Sequence, residues 1–160
     1  MPYEKEKMLW NRIKFGVYSG VAGGMVFGLM MAVMGTLPMI GSMVGIPTAW
    51  AGFLVHVGIS AMSGGSFGFV RDITRLEGDL FTGAMYGSVW WLLGPLTLMP
   101  LFMGMGWAVN WTVAAMTEAL QSLVGHVVFG VVLGTTYRWF EQQERCPLAA
   151  QRAGAAQASE

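Results

Sequence analysis

The chain has 160 residues, 54% apolar and only 11% charged, and nine Lys+Arg balance nine Asp+Glu for a formal net charge of zero. Soluble domains carry about a quarter charged residues, so this chain lacks the polar surface to cover a globule in water. A nucleic-acid binder is excluded for want of surplus Lys and Arg, and a disulfide-stapled fold because Cys146 is alone. What remains is an integral membrane protein in contact with the lipid bilayer.

Residues 1–14 form a polar N-terminal segment carrying Lys5, Lys7, Arg12 and Lys14. No charge then occurs from Phe15 to Val70. A spanning helix needs roughly 20 apolar residues for a ~30 Å hydrocarbon core, so this tract predicts two crossings, at 15–35 and 49–70. The apolar run is too long for the 7–15-residue core of a cleaved signal peptide, so the first helix reads as retained. Pro38 and Pro47, with Gly35, Gly41 and Gly45, mark the turn between them. The short segment 71–79 (RDITRLEGD) reads as a solvated connector. Leu80–Thr117 and Ala119–Tyr137 are again free of charge and predict helices at 80–102 and 117–138. The tail 141–160, ending PLAAQRAGAAQASE, is low in complexity and reads as disordered.

The fold class expected is therefore all-α, with a four-helix transmembrane domain over 15–140. On a four-crossing path all nine basic residues fall on one side: the four near the start, Arg71 and Arg75, and Arg138, Arg145 and Arg152. The positive-inside rule then places both termini in the cytoplasm. Trp10, Tyr137 and Trp139 would lie at the inner interface, and Trp50, Trp107 and Trp111 at the outer one.

Small residues recur at helical spacing. The first helix carries Gly16, Gly20, Gly24 and Gly28, the second Ser60, Gly64 and Gly68, the third Gly83 and Gly87, and the fourth Gly130 and Gly134. Residues four apart share a helix face, and small-xxx-small faces let membrane helices approach to backbone contact. These faces predict close packing within the bundle, in a homo-oligomer, or against a larger membrane complex. They also align: GMVFGLMMAVMG (24–35) with GAMYGSVWWLLG (83–94), and HVGISAMSG (56–64) with HVVFGVVLG (126–134). A tandem duplication of a helical hairpin, with units at about 15–70 and 80–138, explains both matches. Two crossings per unit would relate the halves by an axis along the membrane normal.

His56 and His126, the only histidines, begin the small-residue faces of the second and fourth helices. Ionisable groups inside a membrane are functional candidates. Three uses are open: a neutral imidazole bonded to a neighbouring helix, a proton- or ion-linked site, or axial ligation of a b-type haem. Glu118, the one acidic residue outside the cytoplasmic segments, and Asn110 could join them in an ion or proton site. Met34, Met39, Met43, Met99, Met103 and Met105 collect toward the same side, and thioethers select Cu(I), though methionine also simply fills gaps. No cofactor is required by the sequence; haem b or copper would use His56 and His126. Trp90 and Trp91 sit near the bilayer centre, where they could pack inward or meet a flat cofactor or a partner. Pro95 and Pro100 break the segment 94–107, which with 35–48 makes two Pro/Gly-interrupted connections, re-entrant or interfacial. Gly64-Gly65-Ser66-Phe67-Gly68 matches the hydrolase elbow pattern, but it falls within a helix and not on a strand–turn–helix, and no catalytic set is expected.

The segments GAMYGSVWWLLGPLTLMP (83–100) and GHVVFGVVLGTTY (125–137) resemble those of small uncharacterised bacterial polytopic membrane proteins. The resemblance spans about 15–140 and implies a bacterial plasma membrane, with no activity attached. Three function classes follow: a non-enzymatic subunit or scaffold; a small transporter or channel with a site near His56, His126 and Glu118; and a haem or copper protein.

Overall fold

The computed structural model describes residues 2–74, 79–107 and 109–157, and side chains for these except residues 2–5, Glu118 and 145–157. Arg75 and the rest of 75–78 in the expected connector, and the Cys146 thiol, lie outside the described residues. Among the described residues the structure is all-helical, without strands. The helices are α1 (Pro2–Val33), α2 (Leu37–Ser42), α3 (Ala49–Thr74), α4 (Leu80–Leu93), a π-helical turn (Gly94–Leu98), α5 (Met99–Phe102) and α6 (Val113–Gln157).

Three helices are long and apolar enough to cross a membrane: Glu6–Val33, Ala49–Thr74 and Ala119–Glu144. The expectation of four such helices is corrected at the third. Pro95 has no N–H to return to the preceding turn, and the backbone loosens into the π turn, where the Met99 N–H bonds the Gly94 carbonyl. The α-helix before it has 14 residues, about 21 Å at ~1.5 Å per residue and short of a ~30 Å core. The tail also differs from the expected disordered segment, since α6 continues to Gln157. Alanine, glutamine, glutamate and arginine in that stretch are all strong helix formers.

The turn after α1 is more ordered than a plain loop. Gly35, at φ 69°, reverses the chain in a conformation that side chains rarely adopt. Pro38 opens α2 within its first turn, and Leu37 is 3% exposed where α2 folds back on α3. The start of α4 is fixed by Asp79, whose carboxylate accepts the Thr82 N–H at 2.7 Å. That bond to the Thr82 backbone holds the Asp79 carboxyl below its ordinary range.

Glycine determines which helices touch. A Cβ added at Gly16 would strike the Gly64 carbonyl, one at Gly20 the Ser60 carbonyl, one at Gly24 the Ser60 side chain, and one at Gly68 the Arg12 carbonyl. At Gly28 it would stand 2.8 Å from the Phe53 ring. So α1 and α3 run antiparallel in backbone contact. On the other side, Gly83 meets the Gly130 carbonyl, Gly87 the His126 carbonyl, and Gly134 the Asp79 carbonyl, joining α4 to α6 in the same manner. α1 and α6 connect the two pairs, again antiparallel, from Asn11–Glu144 (2.8 Å) through the stacked Phe15 and Phe140 to Phe27 against Gly125. Both long terminal helices therefore leave the bundle at one end, and the turns 34–48 and 103–112 lie at the other, distal end.

At the terminal end Arg71 departs from the reading of 71–79 as a solvated connector, while residues 75–78 of that segment lie outside the described residues. α3 runs on to Thr74, and Arg71 is 6% exposed. Its guanidinium donates to Glu141 at 2.8 Å and lies 4.7 Å over the Tyr137 ring. Arg12 and Asp72 pair beside it at 2.9 Å, so α1, α3 and α6 are tied by charge where they emerge from the apolar region.

Candidate functional site: a cavity at the distal end

Between α3 and α4 the backbones stay apart, and one aromatic residue bridges them. Tyr86 Oη donates to the Ser63 carbonyl at 2.6 Å and lies 2.6 Å from Ser66 Oγ, while its ring meets Phe67 edge-on. Distal to this bridge is a cavity of about 550 Å³. Its walls come from α1, α2, α3, the α4–α5 segment and α6, and they are almost wholly apolar. Seven methionines line it: Met30, Met31, Met34, Met39, Met43, Met62 and Met99.

His56 and His126 both line this cavity. Phe27 stands between them, with its ring centroid 5.1 Å from that of His56 and 4.9 Å from that of His126, edge-on to each. The His126 Nδ1–H donates to the Ser122 carbonyl one turn back, at 2.8 Å. The His56 ring bonds the backbone of Gly24 on α1, which leaves its Nε2 buried without a partner among the described residues. A carbonyl can only accept, so the bonded Nδ1 of His126 must carry a ring hydrogen. In a neutral imidazole whose Nδ1 carries the hydrogen, Nε2 is a lone-pair acceptor.

The other sequence-derived candidates are distributed unequally. Trp90 lines the cavity. Trp91 turns away, 9% exposed, and its indole N–H donates to the Ala119 carbonyl at 2.9 Å. Asn110 does not join the histidines; its amide donates to the Pro95 carbonyl at 3.3 Å. With Trp111 Nε1 donating to Thr97 Oγ1 (3.1 Å), it clamps the distal turn over the π break. Glu118 belongs to the opening turns of α6, two turns before His126, and its side chain is outside the described residues. The glycines named for helix packing lie at the α1–α3 and α4–α6 contacts rather than in the cavity.

Among the described residues no group of three or more His, Cys, Asp or Glu could hold a metal ion. Met34, Met39, Met43 and Met99 do line the cavity with the histidines, whereas Met103 and Met105 do not. For a haem held by both histidines the Phe27 ring occupies the intervening space. Sequence reasoning missed Phe27 and the Tyr86 bridge. The signal for both was the match between the glycine-marked segments 24–35 and 83–94, which sets Phe27 against Tyr86.

Comparison with protein-family models, with curated proteins and with solved structures finds no match. The geometry of the site carries the functional reading.

Proposed function

We propose that the chain is a non-enzymatic multi-pass protein of a bacterial plasma membrane, of the transporter or carrier class, binding a small ligand between its two helical hairpins. The observation that carries this is a cavity of about 550 Å³ that gathers both histidines from α3 and α6. Pockets of this size, mostly apolar with a few placed polar groups, are what small-molecule sites look like. The first expectation from the sequence, a non-enzymatic subunit or scaffold with the transporter as its alternative, drew on the glycine face of α1 as a surface for a homo-oligomer or complex partner. Gly16, Gly20 and Gly24 are instead covered by α3 of the same chain.

Beside the three long helices, a further crossing pieced together from α4, the π turn and α5 belongs to the proposal, with cytoplasmic termini. Leu80–Phe102 is helical throughout despite the π turn, and Phe81, Met85, Val89, Leu101 and Phe102 present apolar side chains outward, as lipid contact requires. A three-crossing path would put Arg138 on the opposite side from Arg12, against the charge bias and the Arg71–Glu141 tie. The duplication is supported by contacts in register: Gly24 meets Ser60 where Gly83 meets Gly130, and Gly20 meets Gly64 where Asp79 meets Gly134.

Native mass spectrometry of the purified protein tests the binding reading. A small-molecule adduct is expected on the wild type and lost in Ile59→Trp, which puts bulk into the cavity. Wild-type protein that neither carries nor takes up any small molecule would remove the reading. Cu(I) handling is a second reading, favoured by the four methionines that join the histidines; competition with a Cu(I) chelator checks it.

A further inference from the structure

We propose that the cavity takes a lipophilic molecule bearing a hydroxyl group, which enters sideways from the bilayer between α3 and α4 and donates its hydrogen bond to His56 Nε2. This rests on the ligand-binding reading above and names the class of ligand.

Three observations lead to it. The first is access. Met62, 76% exposed, and Phe102, 66% exposed, line the cavity and also face outward on α3 and α5. In a membrane such apolar outward positions meet lipid, so the opening faces acyl chains and the route admits molecules dissolved in the bilayer.

The second is size and lining. A volume of about 550 Å³ far exceeds what one ion leaves open, and it matches an organic molecule. Methionine side chains are flexible and polarizable, suited to wrapping an apolar body of variable shape.

The third is the polarity of the unmet groups on the wall. Among the described residues two lining groups are buried without a partner, Ser63 Oγ, a hydroxyl that can donate or accept, and His56 Nε2, whose residue is 9% exposed. The His56 ring faces the Gly24 backbone with its other nitrogen; in the tautomer that donates there, Nε2 offers a lone pair and no hydrogen. A buried unsatisfied acceptor is costly, and a ligand O–H satisfies it. A carbonyl or ether oxygen brings only a second lone pair to the same place, so the site should select donors over acceptors of equal shape.

The test uses a matched pair of probes on the detergent-purified full chain, 4-nonylphenol and 4-nonylanisole, which differ by hydroxyl against methoxy. Binding is read by quenching of tryptophan fluorescence, with Trp90→Phe identifying the signal from the cavity wall. The phenol is expected to bind on the order of tenfold more tightly than the ether. In His56→Phe, which keeps an aromatic ring and removes the acceptor, the two should bind alike; a melting curve shows that the variant is folded, and His56→Gln, whose amide oxygen can accept, should restore part of the preference. Equal binding of both probes to the wild type overturns the inference and leaves the cavity as a general apolar site. A preference that persists in His56→Phe overturns the assignment to His56. Binding of neither probe overturns the inference and counts against the ligand-binding reading itself.

Discussion

Two seams join the hairpins, and they differ at positions that the proposed repeat would match. Along α1 and α6, Gly23 and Gly125 let the chains close. A Cβ at Gly23 would lie 2.7 Å from the Phe129 carbonyl, and one at Gly125 would run into the Phe27 ring. In the proposed register the matching positions of the α3–α4 seam are Thr82 and Val55, with Ile59 for Phe129 and Tyr86 for Phe27. Side chains stand where the first seam has none, the helices stay apart, and the gap becomes the cavity. On the proposed duplication, a few exchanges between glycine and bulkier residues separate a packed interface from an open one.

The largest effect should come from adding a side chain where backbones touch. Gly64 has Gly20 Cα 2.6 Å from where its Cβ would be, besides the nearer Gly16 carbonyl. Backbone has no flexible end to give way, so Gly64→Leu is expected to abolish the folded bundle, seen as loss of a monodisperse peak and of a cooperative melt. Gly125→Ala presses on a ring that can turn and should cost less, about 1–3 kcal/mol. Gly58, with nothing within 4 Å of its added Cβ, sets the baseline: Gly58→Ala should be neutral or slightly stabilising.

Next is the ion pair at the terminal end. Arg71→Met strands Glu141, 14% exposed, and should cost about 3 kcal/mol in thermal or denaturant unfolding. The double variant Arg71→Met/Glu141→Met should recover most of it. Failure to recover would show that Arg71 acts through Tyr137 and packing rather than through the pair.

On the open seam, Tyr86→Phe removes the hydroxyl bonds to Ser63 and Ser66 and should cost about 1 kcal/mol. Because this bridge joins α3 to α4 through Ser63, the α3–α4 distance reported by spin labels should broaden while the α1–α6 distance stays sharp. Equal broadening of both would erase the distinction between the seams.

The smallest effect is a pH dependence at Asp79. Its carboxyl is held below the usual value of 3.8 by the Thr82 N–H, so its contribution is complete above that value and fades as pH falls through the lower folded-state value. Asp79→Asn keeps an N-cap acceptor and should remove this acid-limb dependence, as melting curves across that range would show.

Much of this arrangement is written at short range. The glycine faces repeat every four residues, so a helical period alone places Gly16, Gly20 and Gly24 on one side, and the absence of charge from Phe15 to Val70 marks the apolar tract. Pro95 announces a break, but not that the chain would absorb it as a π turn and leave α4 at 14 residues. Arg71 and Glu141 lie in different helices, and nothing local distinguishes a buried, paired arginine from one solvated in a connector. The histidines were conspicuous. What lies between them was not, because the position of Phe27 depends on how closely α1 approaches α6, a tertiary distance without any local signature.

The α1–α3 contact has a consequence for how the protein is made. Every residue in it precedes Thr74, so the first hairpin can close in the bilayer while the second is still on the ribosome. The α4–α6 hairpin then needs only to find a docked platform, guided by Phe27 and Phe129. Two separately translated fragments, divided between Thr74 and Asp79, should accordingly reassemble when made in the same cell.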